Sequence, residues 1–171
     1  MKQETKQQIA ETLRDFRLPR YNEIPNVGLY LEQATKYVGE YLAPLGEYTL
    51  TPSMISNYVK KGLIANPVKK QYGREQIAYL FFIAVAKSVL SLDALTGFIK
   101  LQQQTYTLPK AYDYFAEELE NLLAFTFEMK DTMETVGEDN TDEKRLLYTC
   151  IVAAVQKVYL EKCLEAITKE N

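Results

Sequence analysis

Apolar residues recur at intervals of three and four along most of the chain, whereas strict alternation of apolar and polar residues is scarce. The first spacing is typical of helices and the second of half-buried strands. The predicted helices cover residues 3–16, 28–42 and 52–61, a segment starting near Arg74, a segment after Ser91, and residues 110–133 and 142–168. The pattern therefore predicts a mainly all-α fold with one short β hairpin.

Local signals mark the ends of the short helix at 52–61. Thr51 is a good N-cap, Pro52 suits the first helical position, and Gly62 suits the end. Ser91 is likewise the predicted N-cap of the helix that follows it. The segment after Arg74, REQIAYLFFIAVAKSVL, is instead apolar nearly all round, which is typical of a central helix covered on every side.

Prolines and an acidic loop divide the chain into three predicted parts. Residues 1–27 form a helix and an extended arm, residues 28–104 a helical domain, and residues 105–171 an antiparallel hairpin of two long helices. Leu18, Tyr21 and Ile24 are expected to hold the arm to the body of the protein.

The C-terminal hairpin has more apolar surface than two helices can bury against each other. Either the preceding domain of the same chain or a second copy of the protein covers the rest, and we expect a homodimer formed through the C-terminal helices. The aromatic residues of this half either fill a core or line a pocket for a small-molecule effector.

The short helix has one polar face, since successive helical residues turn by about 100°. Four polar residues share an arc of about 100°: Ser53, Ser56, Asn57 and Lys60. Four apolar residues take the other side, where they are expected to pack on neighbouring helices: Met54, Ile55, Tyr58 and Val59. A helix that presents a polar face in this way suits either a DNA groove or plain solvent.

Positive charge is concentrated around this helix. The chain has a formal net charge of −3, yet residues 51–75 carry +4, against −1 for residues 1–50 and −6 for residues 76–171. The five cations of the basic segment are Lys60, Lys61, Lys69, Lys70 and Arg74. Phosphate contacts require only such local cations, so overall acidity does not exclude a nucleic-acid site.

The residues that several classes of function usually require are absent from the sequence. The sequence contains no histidine and no GxxxxGK[ST] or GxGxxG motif, so no activity as an enzyme, no cofactor and no metal site is expected. Cys150 and Cys163 lie thirteen residues apart in one predicted helix, too far to pair, and are expected to be buried thiols. Without a signal-peptide pattern or a membrane-spanning run, the predicted location is the cytoplasm and no membrane partner is expected.

The order of motifs resembles MerR-like regulators. TPSMISNY begins the short helix, KKGLI follows it, Asn66-Pro67 makes a turn, YGREQ opens the next helix and SLDAL the one after. The resemblance, over residues 28–102, implies a winged helix-turn-helix with a recognition helix at about 52–61 and a wing at about 67–73. LPRYNEIPNVGLYLEQ and MISNYVKKGLI are similar, over residues 17–105, to an uncharacterised bacterial domain-of-unknown-function family.

The predicted function is that of a DNA-binding transcription regulator acting on double-stranded DNA. The five cations of the basic segment would neutralise phosphates, while Ser53, Ser56 and Asn57 would face base edges. Asn57 is the best candidate for a base contact because its amide can pair with adenine. The alternative is a protein–protein interaction module that keeps the fold without binding DNA. Tyr72 either packs under the wing or reaches a phosphate.

Overall fold

The computed structural model describes residues 1–170 and forms, within them, seven α-helices and one two-stranded antiparallel sheet. The elements are α1 (Gln3–Leu13), β1 (Leu29–Tyr30), α2 (Leu31–Leu42), α3 (Pro52–Lys60), β2 (Gln71–Tyr72), α4 (Arg74–Ala86), α5 (Leu92–Thr105), α6 (Leu108–Thr126) and α7 (Asp142–Glu170). The prediction of a mainly helical chain is confirmed.

The predicted caps are present. The Thr51 hydroxyl accepts a hydrogen bond from the Met54 amide at 3.1 Å, and the Ser91 hydroxyl accepts one from the Ala94 amide at 3.2 Å. Gly62 ends α3 with a φ of 75°, a left-handed conformation that a residue without Cβ adopts at no steric cost. These helix ends could be predicted from sequence because each capping signal acts within one helical turn.

Three predicted boundaries were wrong by three residues or more. The helix predicted at 3–16 ends at Leu13. The helix predicted at 28–42 starts at Leu31, because Leu29 and Tyr30 pair with β2 instead. The helix predicted at 110–133 ends at Thr126, where Glu128 adopts a φ of 56° and the Met129 amide donates to the Ala124 carbonyl at 2.8 Å. This left-handed helix end lacks its usual glycine, so the sequence carried no stop signal there.

The core is organised around α4, eight of whose residues are buried. α4 packs against α2, α6 and α7. The fully buried Phe81 ring lies 5.9 Å from Tyr37 and 6.1 Å from Tyr112, centroid to centroid, and so joins α2 to α6. One continuous cluster of buried side chains, from Leu13 to Val158, runs through all three predicted parts of the chain.

The last two helices are not the predicted antiparallel hairpin. The Lys144 ammonium, near the start of α7, lies 5.2 Å from the Tyr114 ring near the start of α6. Phe127, just past the end of α6, packs against Tyr159 in the second half of α7, with the two rings tilted and a centroid distance of 5.3 Å. Because starts meet starts and ends meet ends, the two helices run parallel.

A parallel pair requires a connection that returns along the whole length of α6. The 19 residues of α6 span about 28 Å, and residues 127–141, which we call the return segment, can span roughly 50 Å when extended. The Asn121 amide donates to the Glu134 carbonyl at 2.9 Å, part-way along α6, and the Tyr106 hydroxyl donates to Asp139 at 2.6 Å, beyond its start. The acidic loop is therefore a crossover and not a tight turn.

The N-terminal arm lies on α6. Leu18 and Ile24 are fully buried, as predicted. Glu120 accepts from the Leu18 amide at 2.9 Å and from both terminal nitrogens of Arg20 at 2.8 Å, and Asp113 accepts from the Tyr21 amide at 2.7 Å. Tyr21 is thus held through its backbone. The arm attaches the N-terminal part to the C-terminal helices.

Both cysteines are free thiols and are buried, as predicted. Burial raises the pKa of the Cys150 thiol to about 11. Among the described residues, no helix is long and apolar enough to cross a membrane.

We expect Glu120→Ala to lower the free energy of unfolding by roughly 2 kcal/mol, because it leaves a partly buried guanidinium and the Leu18 amide without their acceptor. Urea denaturation measures this. Glu161→Ala is the matched control, because its ion pair with Lys157 is exposed and isolated, and we expect a loss under about 0.5 kcal/mol. Equal losses in the two variants would contradict the role given to Glu120.

Candidate nucleic-acid interface

α3 places its predicted polar face in solvent. Ile55 is fully buried and Tyr58 is 6% exposed, whereas Ser53, Ser56, Asn57 and Lys60 are all exposed. Burial of Tyr58 against the core raises the pKa of its hydroxyl, so the ring stays neutral. α3 packs against α2, which holds the helix by its apolar side and leaves the polar side accessible.

Met54 departs from the predicted arrangement. It was expected to pack with Ile55 and Tyr58, but it is 38% exposed. On the helix it lies about 60° from Asn57 and about 100° from Ile55, so it borders the polar face. An apolar side chain therefore flanks the exposed polar residues.

The predicted wing begins with a tight turn at residues 68–71, which we call the lysine turn. Val68 and Gln71 exchange two backbone hydrogen bonds of 3.0 and 2.9 Å, and Lys69 and Lys70 between them have φ values of 50° and 64°. Positive φ at both central residues is the pattern of a type I′ hairpin turn. The chain then continues into β2, which pairs with β1.

Lysine is an uncommon choice for both central positions. Left-handed backbone costs an ordinary residue roughly 1–2 kcal/mol, and asparagine followed by glycine normally occupies such turns. Lys69 and Lys70 are both exposed, and among the described residues no side-chain hydrogen bond or ion pair of theirs offsets this strain. Backbone strain of this kind concentrates at functional sites, where the side chains are required for something other than stability.

Four lysines of the basic segment have no ion-pair partner among the residues that the structure describes. Ten of the 20 lysine and arginine side chains form ion pairs in the described part of the chain. None of these ion pairs involves Lys60, Lys61, Lys69 or Lys70, all of which are exposed. Their charges are therefore available to an external anion.

Arg74 is placed differently from these lysines. Its Nε donates to the Ile24 carbonyl at 2.8 Å, one terminal nitrogen donates to the Asn22 carbonyl at 3.3 Å, and its guanidinium carbon lies 5.8 Å from the Tyr21 ring centroid. Arg74 thus fastens the arm to the start of α4. A phosphate contact by Arg74 would have to compete with these bonds.

Sequence reasoning missed an exposed row beside the lysine turn. Tyr30 pairs with Gln71 across the β1–β2 ladder, and Gln71 bridges Val68, so the three side chains share one face. Tyr30 is 52% and Val68 73% exposed. Tyr72, on the other face, is only 4% exposed, which confirms packing rather than a phosphate contact. A two-residue strand is too short for alternation to reveal it.

Gly28 precedes this row and admits no side chain. A Cβ at residue 28 would lie 2.6 Å from the Gln71 Cβ, closer than real contacts allow. The close approach brings β1 against β2. This close approach explains why residue 28, in the VGLY stretch, is glycine.

Residues 19–115 match the family described as a domain of unknown function, DUF1836. The chain belongs to this family. The DUF1836 region begins in the arm, includes α2–α5, the lysine turn and the sheet, and ends half-way along α6. No curated protein and no solved structure matches the chain. Among the described residues, no group of three or more histidine, cysteine or acidic side chains is placed to hold a metal ion.

Replacing Lys69 by Asn and Lys70 by Gly should raise the free energy of unfolding by about 1 kcal/mol, because these residues relieve the left-handed strain. Urea denaturation gives the difference. The double variant with Gln at both positions removes the same charge but keeps both Cβ atoms, so it should show no such gain. Equal stabilisation in both variants would mean that charge repulsion, and not backbone strain, destabilises the turn.

Proposed function

We propose that α2, α3 and the lysine turn form a MerR-like winged helix-turn-helix, and that this DUF1836 protein is a DNA-binding transcription regulator. The observation that carries the proposal is the pair of exposed, unpartnered lysines in left-handed backbone at the tip of the turn. Lys69 and Lys70 occupy these positions although asparagine and glycine would be more stable there. A projecting pair of cations suits a phosphate backbone.

Lys60 and Lys61 extend this basic surface. They lie at the exposed end of α3 and, with the lysine turn, provide four cations for phosphate contacts. The remaining acidic surface repels DNA, which restricts binding to one orientation and weakens non-specific attachment elsewhere. Local charge then directs the encounter in a molecule whose overall charge is negative.

Ser53, Ser56 and Asn57 are assigned to base edges. Serine side chains are small and allow α3 to approach a groove, while the Asn57 amide can donate to and accept from adenine. The lysines lack the planar fork with which arginine reads guanine. The proposed interface therefore gains most of its affinity from the DNA backbone.

A second candidate is a protein–protein interaction module. It is favoured by the exposed apolar side chains of Val27, Tyr30 and Val68 beside the lysine turn. Such a partner would bury apolar surface, and its binding would depend little on salt. The dependence of affinity on salt separates the two functions.

Binding to double-stranded DNA should weaken with a log–log slope of roughly −4 against salt concentration, since four lysines neutralise four phosphates. Changing Lys69 and Lys70 to Gln should reduce the slope by about 2 and weaken all sequences alike. Fluorescence anisotropy with genomic fragments measures both quantities.

The matched control changes Lys2 and Lys100 to Gln. It removes the same charge from exposed lysines outside residues 51–75 and should leave the slope unchanged. If no fragment binds at low salt, or if both double variants behave alike, the regulator is ruled out. Salt-independent binding of a protein partner would favour the second candidate.

We further propose that two copies pair through α7. Its inner face is covered by α1, α4, α5 and α6 of the same chain. This packing buries much of the apolar surface that was predicted to need a partner outside the C-terminal helices. Leu146, Ala153 and Leu160 nevertheless follow one another at seven-residue spacing on an exposed side, with Leu164 beside them. This spacing suits helix-to-helix pairing, and a two-fold dimer would engage two half-sites.

Sedimentation at micromolar concentration should show a dimer, and Leu160→Glu should give a monomer because it would place a carboxylate in the apolar contact. Lys100→Glu, which reverses an exposed charge on α5, leaves the α7 row intact and is the control. A monomeric wild-type protein would contradict the dimer proposal. The DNA-binding proposal would still be decided by the salt dependence of binding.

A further inference from the structure

A cavity of about 350 Å³ lies between α5, the first half of α6, the return segment and the first turns of α7. Its volume falls in the range of small-molecule sites, roughly 300–1,000 Å³. It is more than twice the void of roughly 150 Å³ that an engineered core deletion can leave. The cavity is partly open to solvent, so a ligand has access to it.

The inner wall of the cavity is apolar. Phe98 and Leu147 line it and also line a smaller void of about 40 Å³ that continues towards Phe82 and Phe115 in the core. The Phe82 and Phe115 rings meet edge to face, with centroids 5.6 Å apart. A ligand would therefore place an apolar, ring-containing body against this wall.

The two lysines at the cavity both pair with one carboxylate, that of Asp139. The Lys144 ammonium donates to the Asp139 carbonyl oxygen at 2.9 Å and lies 3.6 Å from its carboxylate, and the Lys110 ammonium lies 3.8 Å from the same carboxylate. The hydroxyl of Tyr106 also donates to Asp139 and holds the pKa of this carboxyl below its usual range, so Asp139 stays ionised. These contacts fasten the return segment over the cavity.

Carboxylates outnumber cations among the lining residues. Two cations, Lys110 and Lys144, face four carboxylates, Asp113, Glu117, Asp139 and Glu143, which gives a net charge of −2. Asp113 is bonded to the Tyr21 amide. Among the described residues, no hydrogen bond or ion pair involves Glu117 or Glu143. Glu117 is exposed and Glu143 half-buried, and both belong to the cavity wall.

We propose that this cavity binds a small organic cation, with its apolar rings against Phe98 and Leu147 and its amine directed to Glu117 and Glu143. The low polarity of the inner wall strengthens attraction between the amine and the carboxylates. The return segment closes one side of the site. Binding at this cavity does not depend on whether the protein also binds DNA.

The test uses three probes that share one apolar body and differ in charge. These are 2-(1-naphthyl)ethylamine, 2-(1-naphthyl)ethanol and 1-naphthaleneacetate. Calorimetry at neutral pH should show saturable binding of the amine, about tenfold weaker binding of the alcohol and still weaker binding of the acid, since charge alone separates them. Amide chemical shifts should change at residues 106–117 and 136–147.

Two kinds of variant separate the charge contribution from the shape of the site. Glu117→Gln combined with Glu143→Gln should reduce amine affinity about tenfold, to the level of the alcohol, and leave the alcohol unchanged. Glu40→Gln, an exposed charge change on α2, is the control and should alter neither. Leu101→Trp should fill the cavity and abolish binding of all three probes.

The proposal is overturned if the amine shows no saturable binding up to millimolar concentration, or if the acid binds most tightly. It is also overturned if the chemical shifts that change lie outside the cavity. If Leu101→Trp does not fold, the paired Gln variants and the shift map still decide the outcome. Affinity that is lost in Glu40→Gln as well would show a general charge effect and would likewise contradict the site.

Discussion

α4 must be covered on every side, and the rest of the fold follows from this requirement. A helix with an apolar surface all round destabilises the folded state wherever that surface meets water, by roughly 25 cal/mol for each Å² left exposed. α2 covers α4 from one direction, and α6 and α7 from others. Phe81 lies at this junction, with rings from α2 and α6 packed around it.

The two long helices that cover α4, α6 and α7, lie side by side and run in the same direction. The return segment must then cross the surface of α6, and it is held there by polar side chains. Asn121 is only 7% exposed and bonds both the Glu134 carbonyl and the Lys130 ammonium, while burial raises the pKa of the neighbouring Glu118 carboxyl. The cavity lies beneath the last part of this crossover, between helices that do not close completely on one another.

Charge is distributed differently on two sides of the molecule. The lysines of the basic segment are exposed and form no ion pair in the described part of the chain, whereas both lysines at the cavity pair with Asp139. Beside the cavity, Glu117 and Glu143 have no ion-pair partner among the described residues. Gln102 lines both the cavity and the groove next to the end of α3. It accepts a hydrogen bond from the Tyr79 hydroxyl at 2.9 Å and donates one to the Tyr106 carbonyl at 2.7 Å. Tyr79 and Tyr106 also border the groove next to the end of α3.

The sequence by itself determined the helices, their caps, the buried side of α3 and the local positive charge. These features depend on neighbours within one or two turns, so spacing and capping residues suffice to predict them. The end of α6 was missed because Glu128 replaces the usual glycine, and β1 was missed because two residues show no periodicity. Met54 was misplaced because it lies at the boundary of two helix faces.

Only the tertiary structure decided the parallel arrangement of α6 and α7, the engagement of Arg74 with the arm, and the existence of the cavity. Each depends on groups far apart in sequence, such as Tyr114 with Lys144 or Arg74 with Ile24. Helical periodicity states which face is buried but not which partner covers it or in which direction that partner runs. Direction and partner are set by the packing of the whole chain around α4, which no local pattern records.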